Sequence, residues 1–171
     1  MGNPYLCTMA TQLKNLSDFS HTTVPDGKPY KFAIAVAEWN AEVTGALYNG
    51  ALETLKKHGV KEKNILSVAV PGSFELTGAA EILLKKHPHL DAVICLGCVI
   101  QGETKHFDFI CDAVANGLTN IGIKHAKPVI FGVLTTNDQQ QAIDRSGGKH
   151  GNKGDEAAIT AIKMAHLADS L

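Results

Sequence analysis

Apolar positions in this chain come in short runs separated by amphipathic stretches, and from residue 31 the alternation is regular. KFAIAVA (31–37) reads as a strand closed by Glu38-Trp39-Asn40. Val43, Leu47, Ala51 and Leu55 then recur four apart, which predicts a helix over 41–58 with Asn40 as its N-cap and Gly59 as its stop. ILSVAV (65–70) predicts a second strand, ended by Pro71-Gly72-Ser73, and LTGAAEILLKK carries a helix over about 74–86 that closes before Pro88. AVICLGCVI (92–100) is apolar at nearly every position, as expected of a strand buried on both faces of a parallel sheet. A helix over about 105–124, a strand VIFGVLTT (129–136) and a short helix over 137–145 follow. The glycine-rich loop SGGKHGNKG then leads into a last helix through EAAITAIKMAHLA.

Strand and helix alternating four times predict a four-stranded parallel sheet with right-handed crossovers and helices on both faces. The expected architecture is a single domain over 31–171, a three-layer α/β/α sandwich of flavodoxin-like type. Residues 1–30 are polar and broken by Pro4, Pro25, Gly27 and Pro29, and read as an N-terminal arm, disordered alone or laid on a partner. No internal repeat or dividing linker is visible.

Composition narrows the function classes. A chain of 171 residues with 44% hydrophobic and 19% charged positions can bury a core without staples. A net charge of -1 gives no global pull toward nucleic acid or an anionic membrane. The cysteines are Cys7, Cys95, Cys98 and Cys111. Cys95 and Cys98 form a C-x-x-C pair, but an offset of three along a strand puts them on opposite faces, where they cannot share a metal. They read as reduced core thiols, which implies a cytoplasmic setting. Neither a signal peptide nor a membrane-spanning run is expected.

In open parallel sheets, ligands bind beyond the carboxyl ends of the strands. Those ends carry Glu38-Trp39-Asn40, Pro71-Gly72-Ser73-Phe74-Glu75, Gln101-Gly102-Glu103-Thr104-Lys105-His106 and Thr135-Thr136-Asn137. Trp39 reads either as a core or interface aromatic or as a flat face for a heteroaromatic ring. Gly97-x4-Gly102 followed by Glu103-Thr104 nearly matches a phosphate-binding P-loop, but Glu103 stands where the lysine must be, which excludes a nucleoside triphosphatase. The strand–turn–helix context still suits one phosphate on backbone N–H groups. In the same first turn, the helix dipole disfavours a protonated His106, and a neutral imidazole can pass protons; a capping or surface histidine is the plain alternative. Glu75 suits either a helix start or a polyhydroxyl ligand. Arg145, Lys149 and Lys153 bracket the glycine-rich loop, which is either solvated and mobile or a cationic lid for phosphate. Other histidines, such as His58, His87 and His125, lie near helix ends and read as solvent-facing.

With Trp-Asn after the first strand, the turn V-P-G-S-F-E-L, the stretch L-G-C-V-I-Q-G-E-T-K-H-F-D-F and the loop I-D-R-S-G-G-K-H-G-N-K-G, the sequence resembles the lumazine synthases over about 31–168. The block from Gly97 to Asp108 is the most specific part. The resemblance implies that Trp39 stacks on a pyrimidine beside Asn40, and that Ser73, Phe74 and Glu75 bind the ribityl-pyrimidine, Glu75 through ribityl hydroxyls. It implies that Cys98, Val99 and Ile100 hold the pyrimidine edge through backbone groups; position 98 is often Thr in the family, so a hydroxyl contact is weakened here. Glu103 and Thr104 would bind a sugar phosphate through backbone N–H groups, His106 would transfer protons, Phe131 would line the pocket, and Arg145 would bind the phosphate with Lys149 and Lys153 nearby.

The implied reaction condenses 5-amino-6-(D-ribitylamino)uracil with 3,4-dihydroxy-2-butanone 4-phosphate to 6,7-dimethyl-8-ribityllumazine, the penultimate step of riboflavin biosynthesis, with no metal or other cofactor. Its partners would be these small molecules and copies of the chain. The family forms homopentamers whose sites lie between subunits, and twelve pentamers close into an icosahedral shell in some members. The short loop looks like the shell-forming type, and the arm would add a strand to the next subunit's sheet. Two alternatives compete: an archaeal-type riboflavin synthase, disfavoured by Glu103-Thr104 and Arg145, and a non-catalytic flavin-binding or shell protein, disfavoured by His106.

Overall fold

The computed structural model describes residues 15–20 and 22–171. Four parallel strands, β1 (Phe32–Ala37), β2 (Ile65–Val70), β3 (Ala92–Ile100) and β4 (Val129–Thr136), form one sheet in the order β2-β1-β3-β4. The helices are α1 (Ala41–Lys57), α2 (Leu76–Lys86), α3 (His106–His125), α4 (Gln139–Asp144) and α5 (Lys153–Ser170). α1 and α5 bury Val43, Leu47, Leu55 and Ile162 against one face, with Phe32, Ile34, Ile94 and Leu96 beneath them. On the other face α2 and α3 bury Leu76, Leu83, Val114 and Leu118 against Ala33, Ala35, Val93 and Cys95. Each fully buried leucine there contributes about 1.5–3 kcal/mol of transfer free energy. The expected α/β three-layer, flavodoxin-like sandwich is the observed fold.

The strand order has a functional consequence. From β1 the chain steps to β2 on one side, then crosses back over β1 to β3 on the other. A right-handed crossover in the opposite direction must use the opposite face, so α1 and α2 lie on different sides of the sheet. The connections leaving β1 and β3 therefore diverge, and a crevice opens between their carboxyl ends.

Cys95 packs with the α2/α3 layer and Cys98 with the α1/α5 layer, on opposite faces as the strand period requires. Burial pushes the Cys95 thiol up to about 12 and the Cys98 thiol to about 11. Among the described residues, no cluster of three or more His, Cys, Asp or Glu side chains could hold a metal ion. No described helix is long and apolar enough to cross a membrane.

Three local features differ from the sequence reading. Asn40 sits at the start of α1, but its side chain does not cap the helix; its backbone is left-handed (φ 60°, ψ 47°) and its amide reaches elsewhere. The glycine-rich loop contains a small antiparallel hairpin, β5 (Ser146–Gly148) with β6 (Gly151–Asn152). His125 is not solvent-facing: its Nε2 lies 2.6 Å from Glu81, which also holds Lys85 and Lys124.

The expected arm divides at the residues described. Residues 1–14, with Cys7, lie outside them. Further on, Gly27 donates its N–H to the carbonyl of His58 at 2.8 Å, Val24 packs against the core, and Tyr30 is buried with its hydroxyl 3.1 Å from His166 Nδ1. The stretch just before residue 31 therefore packs on the domain of its own chain.

Candidate active site

A cavity of about 470 Å³ occupies the crevice at the carboxyl ends of β1, β2 and β3. Trp39 and Asn40 enter it from the β1–α1 turn, Ser73, Phe74 and Glu75 from the β2–α2 turn, and Cys98, Val99 and Ile100 from the end of β3. His106 closes it from the first turn of α3. Nine residues singled out in the sequence thus share one wall. Gly72 and Ile110 complete it. Ile110 was not anticipated, although it lies four residues after His106 and so on the same helical face, a signal that was available.

Backbone hydrogen bonds fix the aromatic wall. The β1–β2 ladder runs on past the strands: Glu38 N–H donates to Val70 O at 2.8 Å, and Trp39 N–H to Pro71 O at 3.2 Å. The Trp39 backbone is held while its side chain stays 73% exposed, an indole face presented to whatever enters. Asn40 then turns the chain into α1. Asn tolerates the left-handed region better than most residues, and its carbonyl accepts the first α1 bonds, from Val43 and Thr44 N–H. Its Nδ2 crosses the crevice floor to Cys98 O at 3.0 Å.

Opposite, a 3-10 turn over Ser73–Glu75 brings Ser73 down onto β3. This approach requires Gly97, because a Cβ there would lie 2.5 Å from Ser73 Oγ. Phe74 and Glu75 are exposed, and the Glu75 carboxylate caps no backbone group of α2. Cys98 points its thiol into the core and leaves only backbone at the rim.

Glu103 and Thr104 are exposed in the turn before α3. Thr104 Oγ1 accepts the His106 N–H at 3.3 Å, a long bond that tethers the helix start. Among the described residues, the N–H groups of Gly102, Glu103 and Thr104 donate to no protein acceptor. Unpaired N–H groups just ahead of a helix start suit an anion.

The remaining expected residues do not line this cavity. Phe131 stands half-exposed on the edge strand β4, on the face that α3 covers only in part. Arg145 follows α4 with its Nη1 on Gln141 O at 3.2 Å, and forms no ion pair among the described residues. Lys149 pairs with Asp144 and Lys153 with Glu156, each at 2.9 Å. One chain therefore holds an aromatic, hydroxyl-accepting crevice with a histidine, and separately a guanidinium beside the β5–β6 hairpin.

Residues 29–169 match the family described as 6,7-dimethyl-8-ribityllumazine synthase. A relative of that name from Cytophaga hutchinsonii is 59% identical over 157 residues, covering 91% of this chain and 97% of the relative. Another from Porphyromonas gingivalis is 54% identical, with 93% and 98% covered. A third, from Phocaeicola vulgatus, is 51% identical, with 95% and 96% covered.

Proposed function

The chain belongs to the 6,7-dimethyl-8-ribityllumazine synthase family, and from that premise we propose how its crevice carries out the family's reaction. It is a transferase that condenses 5-amino-6-(D-ribitylamino)uracil with 3,4-dihydroxy-2-butanone 4-phosphate, the step that yields 6,7-dimethyl-8-ribityllumazine in riboflavin biosynthesis. The pyrimidine's amine adds to the ketone and loses water to form an imine. Phosphate then leaves, and ring closure expels a second water.

In this reading the pyrimidine stacks on Trp39, with its polar edge on the backbone of Cys98, Val99 and Ile100. Its ribityl chain runs toward Ser73, Phe74 and Glu75, where the exposed carboxylate accepts hydrogen bonds from the hydroxyls. The sugar phosphate sits on the unpaired N–H groups at Glu103-Thr104, and His106 moves protons between the amine, the carbinol and the leaving water. Holding two substrates in reactive geometry supplies most of the rate, and proton transfer adds roughly 10²–10⁴-fold. One observation carries the reading: nine residues from two turns, the end of β3 and the start of α3 converge on a single cavity at the topological switch point.

The phosphate cation comes from a second copy. Arg145, Lys149, Lys153 and Phe131 serve the crevice of the adjacent subunit in a homopentamer, and twelve such rings close into a shell. Exposed apolar groups support a covered face: Phe109 and Ile123, both exposed, lie within about 40° of each other around α3, and Phe131 on β4 is exposed as well. The free thiols Cys95, Cys98 and Cys111 suit a reducing, cytoplasmic setting.

The test mixes purified protein with both substrates and follows the fluorescent lumazine and released phosphate. Accelerated formation with phosphate released one-for-one is expected. No acceleration by a folded, oligomeric protein would leave a binding or shell protein as the better reading.

A further inference from the structure

The side chain of Asn152 ties the β5–β6 hairpin that follows Arg145 to α1. Asn152 pairs with Ser146 across the hairpin, and Lys153 N–H donates to Arg145 O at 2.8 Å, so the Arg145 backbone is clamped by the residue after Asn152. The Asn152 amide makes contacts on both sides. Its Oδ1 accepts the Gly154 N–H at 2.8 Å, capping α5. Its Nδ2 donates to Ala46 O of α1 at 2.9 Å, with a weaker 3.5 Å approach to Ser146 O. On the outer side its backbone N–H donates to Ser17 Oγ at 2.9 Å.

The fold is shaped around this amide. A Cβ at Gly50 on α1 would stand 2.5 Å from Asn152 Nδ2, and a Cβ at Gly154 would stand 2.0 Å from Leu47 O. Two glycines thus let α1 and α5 close to backbone contact and leave a slot for Asn152. An N-cap alone needs neither the slot nor the donor, since Asp and Ser cap as well as Asn. The donor's purpose is the bond to α1, a 17-residue helix packed on the sheet, which gives the hairpin a rigid base within its own subunit.

We propose that Asn152 is a positioning residue that sets Arg145 for the sugar phosphate, by locking the hairpin after Arg145 onto α1. The inference rests on the reading of Arg145 as the phosphate ligand. Asn152 touches no substrate; it fixes where the guanidinium starts from, and misplacing such a group by an ångström weakens binding and rate together.

Asn152→Asp and Asn152→Ser separate this role from capping. Both keep an oxygen for Gly154 N–H; Asp loses the donor, and Ser is too short to reach Ala46 O. The neutral Ser variant controls for the added carboxylate. Both variants of the full chain are expected to keep an unfolding midpoint near the parent's. Their KM for the sugar phosphate should rise roughly tenfold, while that for the pyrimidine moves less than about twofold. In an Arg145→Ala background the same substitutions should add nothing further to the sugar-phosphate KM. An unchanged KM in both variants, or an equal rise without Arg145, overturns the proposal. If Arg145→Ala alone leaves the sugar-phosphate KM unchanged, the phosphate reading of Arg145 has failed, and this inference falls with it.

Discussion

Asn40 Nδ2 donates to Cys98 O at 3.0 Å, joining the start of α1 to the end of β3 across the switch point of the sheet. The same residue holds a left-handed backbone, so its two contributions can be separated by substitution. Asn40→Gly keeps the backbone conformation and loses the tether; Asn40→Ala loses both. Urea unfolding should rank parent above Gly above Ala, with the Ala variant lower than Gly by about 1–2 kcal/mol. Both should bind the pyrimidine more weakly, because the tether sets the distance between Trp39 and the β3 backbone. Equal stability of the two variants would remove the backbone argument.

His106→Ala should lower kcat by roughly 10²-fold or more while leaving the unfolding midpoint and oligomeric size unchanged. The side chain is exposed, so its removal opens no cavity. Steady-state kinetics and sedimentation decide this, and an unchanged kcat would take His106 out of the mechanism.

Trp39 is the sole tryptophan of the chain, so its emission reports on the crevice alone. An indole 73% exposed should emit as a solvated group. Titration with the ribitylamino-pyrimidine should quench that emission to saturation, and the sugar phosphate alone should change it little. Equal quenching by both would argue against stacking on the pyrimidine.

Gly97 and Gly78 offer opposite outcomes for the same change. Gly97→Ala forces a Cβ to within 2.5 Å of Ser73 Oγ and 3.0 Å of Leu76 Cδ1, so it should destabilise by about 1–3 kcal/mol and weaken pyrimidine binding. Gly78→Ala on α2 meets nothing within 4 Å and should stabilise by about 0.5–1 kcal/mol. Calorimetry of both variants checks the pair.

Glu81 accepts from Lys124, Lys85 and His125, and these hydrogen bonds hold its carboxyl well below the usual range, at about 2. A folded pKa below the unfolded value stabilises the fold fully above the unfolded pKa of 4.5, and this contribution fades as pH falls toward 2. Glu81→Gln should therefore destabilise at neutral pH, and the gap between variant and parent should shrink progressively between those two values. Thermal melts across that window test it; a gap independent of pH would mean the cluster acts through packing.

Much of the fold was legible in the sequence. Three strands, β2, β3 and β4, have the bounds read from the apolar runs. Burial on both faces explains this for the central β3, whereas the edge strands β2 and β4 carry Ser67 and Thr135-Thr136 within them and are bounded by the flanking turns. The opposite facing of Cys95 and Cys98 followed from the two-residue period alone. The turns after β1, β2 and β3 were recognisable as a shared rim, since parallel strands must present their carboxyl ends together.

What only the tertiary structure decided was the partner of each polar side chain. Asn40 looks like an N-cap in sequence, yet it spends its amide on Cys98, 58 residues away. Lys149 and Lys153 look like free cations, but Asp144 and Glu156 stand within 2.9 Å of them. His125 ends a helix as expected, but α2 brings Glu81 against it. The separation of Arg145 from the crevice of its own chain could not be read from residue patterns either; only the resemblance, with sites built between subunits, implied it. Local sequence sets backbone periodicity, because that depends on neighbours three or four residues away. The choice among hydrogen-bond partners depends on which distant carbonyl or carboxylate the packed layers deliver, and the packing alone makes that selection.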